Sequence, residues 1–142
     1  MATGQSASFK IAGAVHRTLY RLGLARKVFG VPVLILGTRG RKSGREIQTP
    51  LTYFRDGDGI FIIASKGGAP TDPGWYHNLV AEPNVTVRLG NAEQPFRAEV
   101  IADREERDRL YAIAVSAMSG YAGYEKKTDR VIPVVRLHGV AG

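Results

Sequence analysis

A small, mainly β (α+β) barrel of about six antiparallel strands with peripheral helices is the fold class this sequence predicts, and three observations carry it. Short apolar or alternating runs recur at residues 33–36, 46–55, 60–65, 84–89, 94–101 and 132–137. Asp56-Gly57-Asp58-Gly59 and Gly90-Asn91 lie between such runs, where hairpin turns need positive φ angles. Helical periodicity is confined to a few stretches, which leaves strands to build the core.

The elements follow in order. Ile11, Val15, Leu19 and Leu22 recur at helical spacing, with Arg17, Arg21 and Lys27 largely elsewhere on the wheel, so a basic amphipathic helix is expected over 8–28. The strand at 33–36 runs into a basic loop, and 46–55 returns from it. After the Asp-Gly turn, 60–65 delivers a second glycine loop. Asp72 is placed to cap a short helix with Pro73 at its first position, and Pro83 bounds that helix at Glu82. The hairpin 84–89/94–101 follows. Asp103 and Glu106 resemble a capping box, and Leu110, Ile113, Ala114, Ala117 and Met118 give one helical face that Gly120 ends. A tyrosine-bearing segment then leads into the last strand. The expected organisation is one barrel domain over 31–142 with an N-terminal helix and tail over 1–30.

A chain of 142 residues suffices for one such domain. It contains no cysteine, which excludes disulfides, thiolate nucleophiles and Cys-ligated zinc. The apolar run at 11–15 is cut short by His16-Arg17, too brief for a secretory signal, so a cytoplasmic protein is expected. The net charge is +7, and it is unevenly placed: the first carboxylate is Glu46, after nine Lys and Arg. An anionic partner at the basic end is the physical implication.

Two loops carry the chemistry. Thr38-Arg39-Gly40-Arg41-Lys42-Ser43-Gly44-Arg45 and Ala64-Ser65-Lys66-Gly67-Gly68 each follow a strand and combine glycines with a cation and a hydroxyl. Glycine lets the backbone turn tightly, and bare N–H groups join Arg and Lys as an anion-binding nest. The first loop is not a phosphate-binding Walker motif, because Gly40 falls one place early and a strand follows. Trp75 serves as a core anchor or lines a ring pocket, with Asn78 on the same helical face. Tyr121 and Tyr124 form either an ordinary surface pair or an aromatic wall over a ligand. Thr128-Asp129-Arg130 reads as a turn into the last strand. His16, His77 and His138 are scattered without metal-ligand spacing, and no Gly-x-Ser-x-Gly elbow is present. With no self-sufficient catalytic set, the chemistry of an enzyme built this way belongs to a bound cofactor.

Four segments in order, TRGRKSGREIQTP at 38–50, ASKGGAP at 64–70, WYHNL at 75–79 and YAGYEKKTDRVIPVV at 121–135, resemble the deazaflavin-dependent nitroreductase family. The resemblance implies a split β-barrel related to FMN-binding reductases, and the reduced 8-hydroxy-5-deazaflavin coenzyme F-420 as hydride donor. It implies that Arg41, Lys42, Ser43 and Gly44 hold the phosphate and that Thr49 and Pro50 line the ring site. Ala64, Ser65, Lys66, Gly67 and Gly68 would contact the cofactor, with Trp75 and Asn78 nearby. Tyr121 and Tyr124 would face the substrate, an electron-poor quinone, activated alkene or nitroaromatic, with Tyr124 or solvent protonating the product. Ile47 stands where members can carry a basic residue, which Arg45 would replace, and Met118 where some carry a further tyrosine.

Rival readings are an FMN-dependent reductase or oxidase of the same barrel, a deazaflavin-binding protein without turnover, and a nucleic-acid-binding barrel. The last lacks a strand of interleaved aromatic and basic residues, so nucleic acid is not an expected partner. A monomer or homodimer is expected. The N-terminal helix would make a peripheral membrane contact or cover the barrel mouth.

Overall fold

The computed structural model describes residues 27–28 and 31–140. The helix expected over 8–28 lies outside these residues except at its end, where Lys27–Val28 is a two-residue strand, β1, paired antiparallel with the start of β2 (Val31–Arg39). Then follow β3 (Glu46–Thr52), β4 (Phe54–Asp56), β5 (Gly59–Ile63), a 3-10 turn (Lys66–Gly68), α1 (Gly74–Ala81), β6 (Asn84–Leu89), β7 (Ala92–Val100), α2 (Arg104–Ala117), α3 (Gly120–Lys126) and β8 (Val134–Gly139).

Every strand pairing is antiparallel, and the sheet runs β3-β2-β6-β7-β8-β5-β4. Its two ends, β3 and β4, are consecutive in the chain and separated only by Tyr53. The sheet therefore curls round until its first and last strands meet covalently, which makes a split barrel. Tyr53 is buried, and its N–H donates to the Pro32 carbonyl at 3.2 Å. The single strand expected over 46–55 is thus two strands with different neighbours, because β3 pairs β2 whereas β4 pairs β5. With β1 this raises the described strand count from the expected six to eight.

Alternation along the strands separates two cores. Leu34, Leu36, Ile60, Ile62, Val85, Val87, Val135 and Leu137 fill the barrel, closed by Trp75 and Leu79 of α1. Phe54, Phe61, Ile63 and Val134 point outward and are covered by Leu110, Tyr111 and Ala114 of α2 and Tyr121 of α3. This explains why β5 reads as an unbroken apolar run, since both of its faces are buried.

The helices hold some local surprises. Asp103 caps α2, accepting from the Glu106 N–H at 2.9 Å, but Glu106 does not complete the box. Its carboxylate is instead drawn to Arg109 and Arg136. Asp72 makes no cap for α1, whose N-cap is Pro73, because Arg130 takes its carboxylate. The tyrosine-bearing segment is helical, as α3, although Gly120 and Gly123 argue locally against it.

Candidate functional site

The first basic loop is a tight turn between β2 and β3. Gly40 N–H donates to the Arg45 carbonyl at 2.7 Å and Gly44 N–H to the Gly40 carbonyl at 2.8 Å. Gly44 sits at φ +74°, a conformation that only glycine adopts without strain. The Ser43 hydroxyl accepts the Arg45 N–H at 3.1 Å, so it braces the turn. At the apex Lys42 is exposed and makes no hydrogen bond or ion pair among the described residues.

Asn78 fixes this loop to α1. Its Oδ1 accepts both the Arg41 N–H at 3.2 Å and the Arg41 guanidinium at 2.8 Å, while its Nδ2 donates to the Thr38 hydroxyl at 3.3 Å. Asn78 and Thr38 are 3% and 1% exposed, so these bonds form away from solvent, where a lost partner is costly. Arg41 also reaches the Gly74 carbonyl at 3.4 Å. The structure therefore gives Asn78 a bracing position under the loop. Trp75, on the same face of α1, is a member of the inner core at 9% exposure.

The second loop has an unusual backbone. Lys66, Gly67 and Gly68 lie at φ +49°, +64° and +84° in succession, and Lys66 is the one described non-glycine residue with positive φ. The Gly68 and Ala69 N–H groups close the turn onto the Ser65 and Lys66 carbonyls at 2.9 and 3.1 Å. Ser65 and Gly68 are buried, whereas Lys66 and Gly67 are exposed. Among the described residues the Lys66 ammonium donates to the Thr71 hydroxyl alone, at 3.3 Å. A Cβ on Gly68 would meet the Tyr124 carbonyl and the Lys127 Cβ at 2.9 Å, so α3 packs directly on this loop.

What holds the second loop lies far from it in the sequence. The Arg130 guanidinium donates to the carbonyls of Ala69 at 2.9 Å, Ala64 at 3.3 Å and Ser65 at 2.8 Å, and pairs with Asp72 at 2.6 Å. Its sequence neighbourhood signals only a turn.

Tyr121 and Tyr124 part ways. Tyr121 is 8% exposed and packs edge-on against Phe54, Tyr111 and Tyr124. Burial, then the neighbouring Tyr124, pushes its phenol up to about 12. Burial likewise raises the Tyr111 phenol to about 12, and its hydroxyl donates to the Tyr121 carbonyl at 2.6 Å. Tyr124 is half-buried, with the Lys127 ammonium 6.0 Å over its ring. Thr49 and Pro50 stand opposite Leu36 and Ile35 on β3 and are half-buried. Thr49 thus shares the inward face of Leu36, and Pro50 takes the other.

One set of contacts joins these parts. Arg41 meets α1 at Gly74, two residues beyond Asp72; Asp72 pairs with Arg130; and the loop that Arg130 holds packs at Gly68 against Tyr124. Around it stand Lys42, Arg45 and Lys66, none with a carboxylate partner among the described residues. Exposed, unneutralised cations beside a positive-φ glycine turn suit a ligand carrying a phosphodiester and several carboxylates next to a flat ring. The residues fit a deazaflavin of that kind.

Fold and site together define a split-barrel reductase of the flavin and deazaflavin class. Residues 12–138 match the family model described as F420H(2)-dependent quinone reductase, and the chain belongs to that family. It is 42% identical over 108 residues to an F420H(2)-dependent quinone reductase of Mycobacterium tuberculosis, covering 75% of this chain and 72% of the relative. A solved F420-H2 dependent reductase shares 38% identity at a TM-score of 0.68, over 75% of this chain and 94% of that one. Another solved structure, described as a domain-swapped dimer, shares 34% identity at a TM-score of 0.69, over 90% and 99%. The protein is an oxidoreductase that uses the reduced deazaflavin as cofactor and passes a hydride to a quinone-like small molecule.

Proposed function

We propose that the two loops divide the work of holding the coenzyme. Arg41, Lys42, Ser43 and Gly44 take its phosphate, with Arg45 toward the acidic tail. Ala64, Ser65, Lys66, Gly67 and Gly68 take the ring side, with Pro50 lining it, Thr49 and Trp75 backing it from the barrel interior, and Asn78 bracing the first loop from beneath. The observation that carries this reading is the pairing of exposed, carboxylate-free cations with a backbone run at positive φ. When bound, the reduced deazaflavin supplies a hydride in a two-electron step.

The chain's own part is orientation, exclusion of water and management of charge. Lys66 and the loop amides favour negative charge beside them. Tyr124, half-exposed and packed on the same loop, fronts the acceptor and is placed to donate a proton from its hydroxyl. Tyr121 stands behind it as support, since its phenol is buried and kept neutral. A quinone is the foremost acceptor, with activated alkenes and nitroaromatics as further electron-poor candidates. The working unit in this reading is the single barrel over 31–142, in the cytoplasm, with residues 1–30 as a basic appendage able to touch anionic lipid. A homodimer is supported by the related structure described as a domain-swapped dimer.

The test is a fluorescence titration of the purified protein with deazaflavin, FMN and NADPH, followed by menadione addition and measurement of coenzyme oxidation. Tight binding of the deazaflavin alone, with menadione-dependent oxidation, is expected. Equal or tighter FMN binding would defeat the reading.

A further inference from the structure

The geometry points to Arg130 as the positioning residue of the reaction: its guanidinium sets the shape of the 64–72 loop before any coenzyme arrives. The inference rests on the reading that this loop holds the coenzyme ring. Four acceptors converge on one side chain, the Ala64, Ser65 and Ala69 carbonyls and the Asp72 carboxylate, at 2.6–3.3 Å. The planar fork of an arginine matches such a set, whereas a lysine ammonium is a point charge on a flexible stem. Lys66 needs this support, because a non-glycine residue at φ +49° is strained and persists only where its surroundings over-determine it.

The same side chain ties the acceptor side to the coenzyme side. Arg130 lies four residues beyond α3, and α3 rests on the loop at Gly68 without room for a Cβ. Holding the loop therefore also fixes how Tyr124 stands over it. Arg130 is itself only part-buried and meets the coenzyme-holding residues Ala64 and Ser65 at their backbone carbonyls, so it acts through the loop backbone.

Arg130→Lys, Arg130→Gln and Asp72→Asn separate the possibilities. In coenzyme-free protein, amide hydrogen exchange at 65–69 should accelerate in both Arg130 variants while exchange in the β6-β7 hairpin stays at the wild-type rate. The deazaflavin Kd should rise about tenfold or more in Arg130→Lys, and less in Asp72→Asn, which keeps the three carbonyl contacts. Wild-type Kd and wild-type loop exchange in a folded Arg130→Lys would overturn the proposal. So would exchange accelerated uniformly through the barrel with a matching drop in Tm, since that marks a merely structural arginine. The exchange measurement needs no coenzyme, so it still judges Arg130 if the wild-type protein fails to bind deazaflavin.

Discussion

At the scale of single residues, the structure separates side chains free to meet a ligand from those already engaged. Lys42 stands exposed and unpaired among the described residues, whereas Asn78 and Ser43 have hydrogen-bond partners within the protein. Replacing Lys42 by Ala should therefore weaken deazaflavin binding by about 1–3 kcal/mol, the scale of one charge-assisted hydrogen bond, and leave Tm unchanged. Isothermal titration with differential scanning calorimetry would check both parts. Local spacing made several positions readable from sequence. Trp75 and Asn78 are three apart on a helix, and both are buried on its inner face. Arg130 and Asp72 were not readable as partners, because 58 residues separate them and only the closed barrel brings them together.

Elements were readable wherever period and turn chemistry agreed. The Asp-Gly hairpin, with Gly57 at φ +61°, and the β6-β7 hairpin both lie where dipeptides that accept positive φ interrupt alternating runs. The break at Tyr53 was invisible, since alternation continues through it while the pairing partner changes from β2 to β5. Helix α3 was also hidden, because its stability comes from Tyr121 in the outer core and not from the propensities of Gly120 and Gly123. For α2 the cap was legible, and its worth can be measured. Asp103→Ala should cost about 1 kcal/mol, read as a lower urea midpoint with unchanged m-value. Since α2 covers the outer core and not the coenzyme loops, deazaflavin affinity should hold.

For the whole molecule, titration sets two limits on stability. Arg109 and then Arg136 hold the Asp56 carboxyl down to about 2, and Arg partners also lower Glu106 and Asp108. Carboxyls depressed in the folded state stabilise it above their unfolded pKa, and that contribution is lost as pH falls toward 2. The two buried phenols work in the opposite direction. With Tyr111 and Tyr121 raised from 10.0 to about 12, the unfolded chain ionises first, so stability falls as pH climbs from 10 to 12. Urea denaturation across pH should show both edges. Tyr111→Phe should shift the alkaline edge upward, while a Tyr111→Phe profile identical to wild type would contradict the assignment. The basic loops add a salt dependence of another kind, since exposed charges are screened beyond about 10 Å at 0.1 M salt.

The seam at Tyr53 has a consequence for behaviour in crowded solution. Open sheets polymerise when a free rim offers a neighbour a row of unsatisfied amides and carbonyls. Here one rim, β4, is three residues long, and the other, β3, includes Pro50, which has no amide hydrogen to give. Concentrated protein should therefore resist stacking strand onto strand at this place.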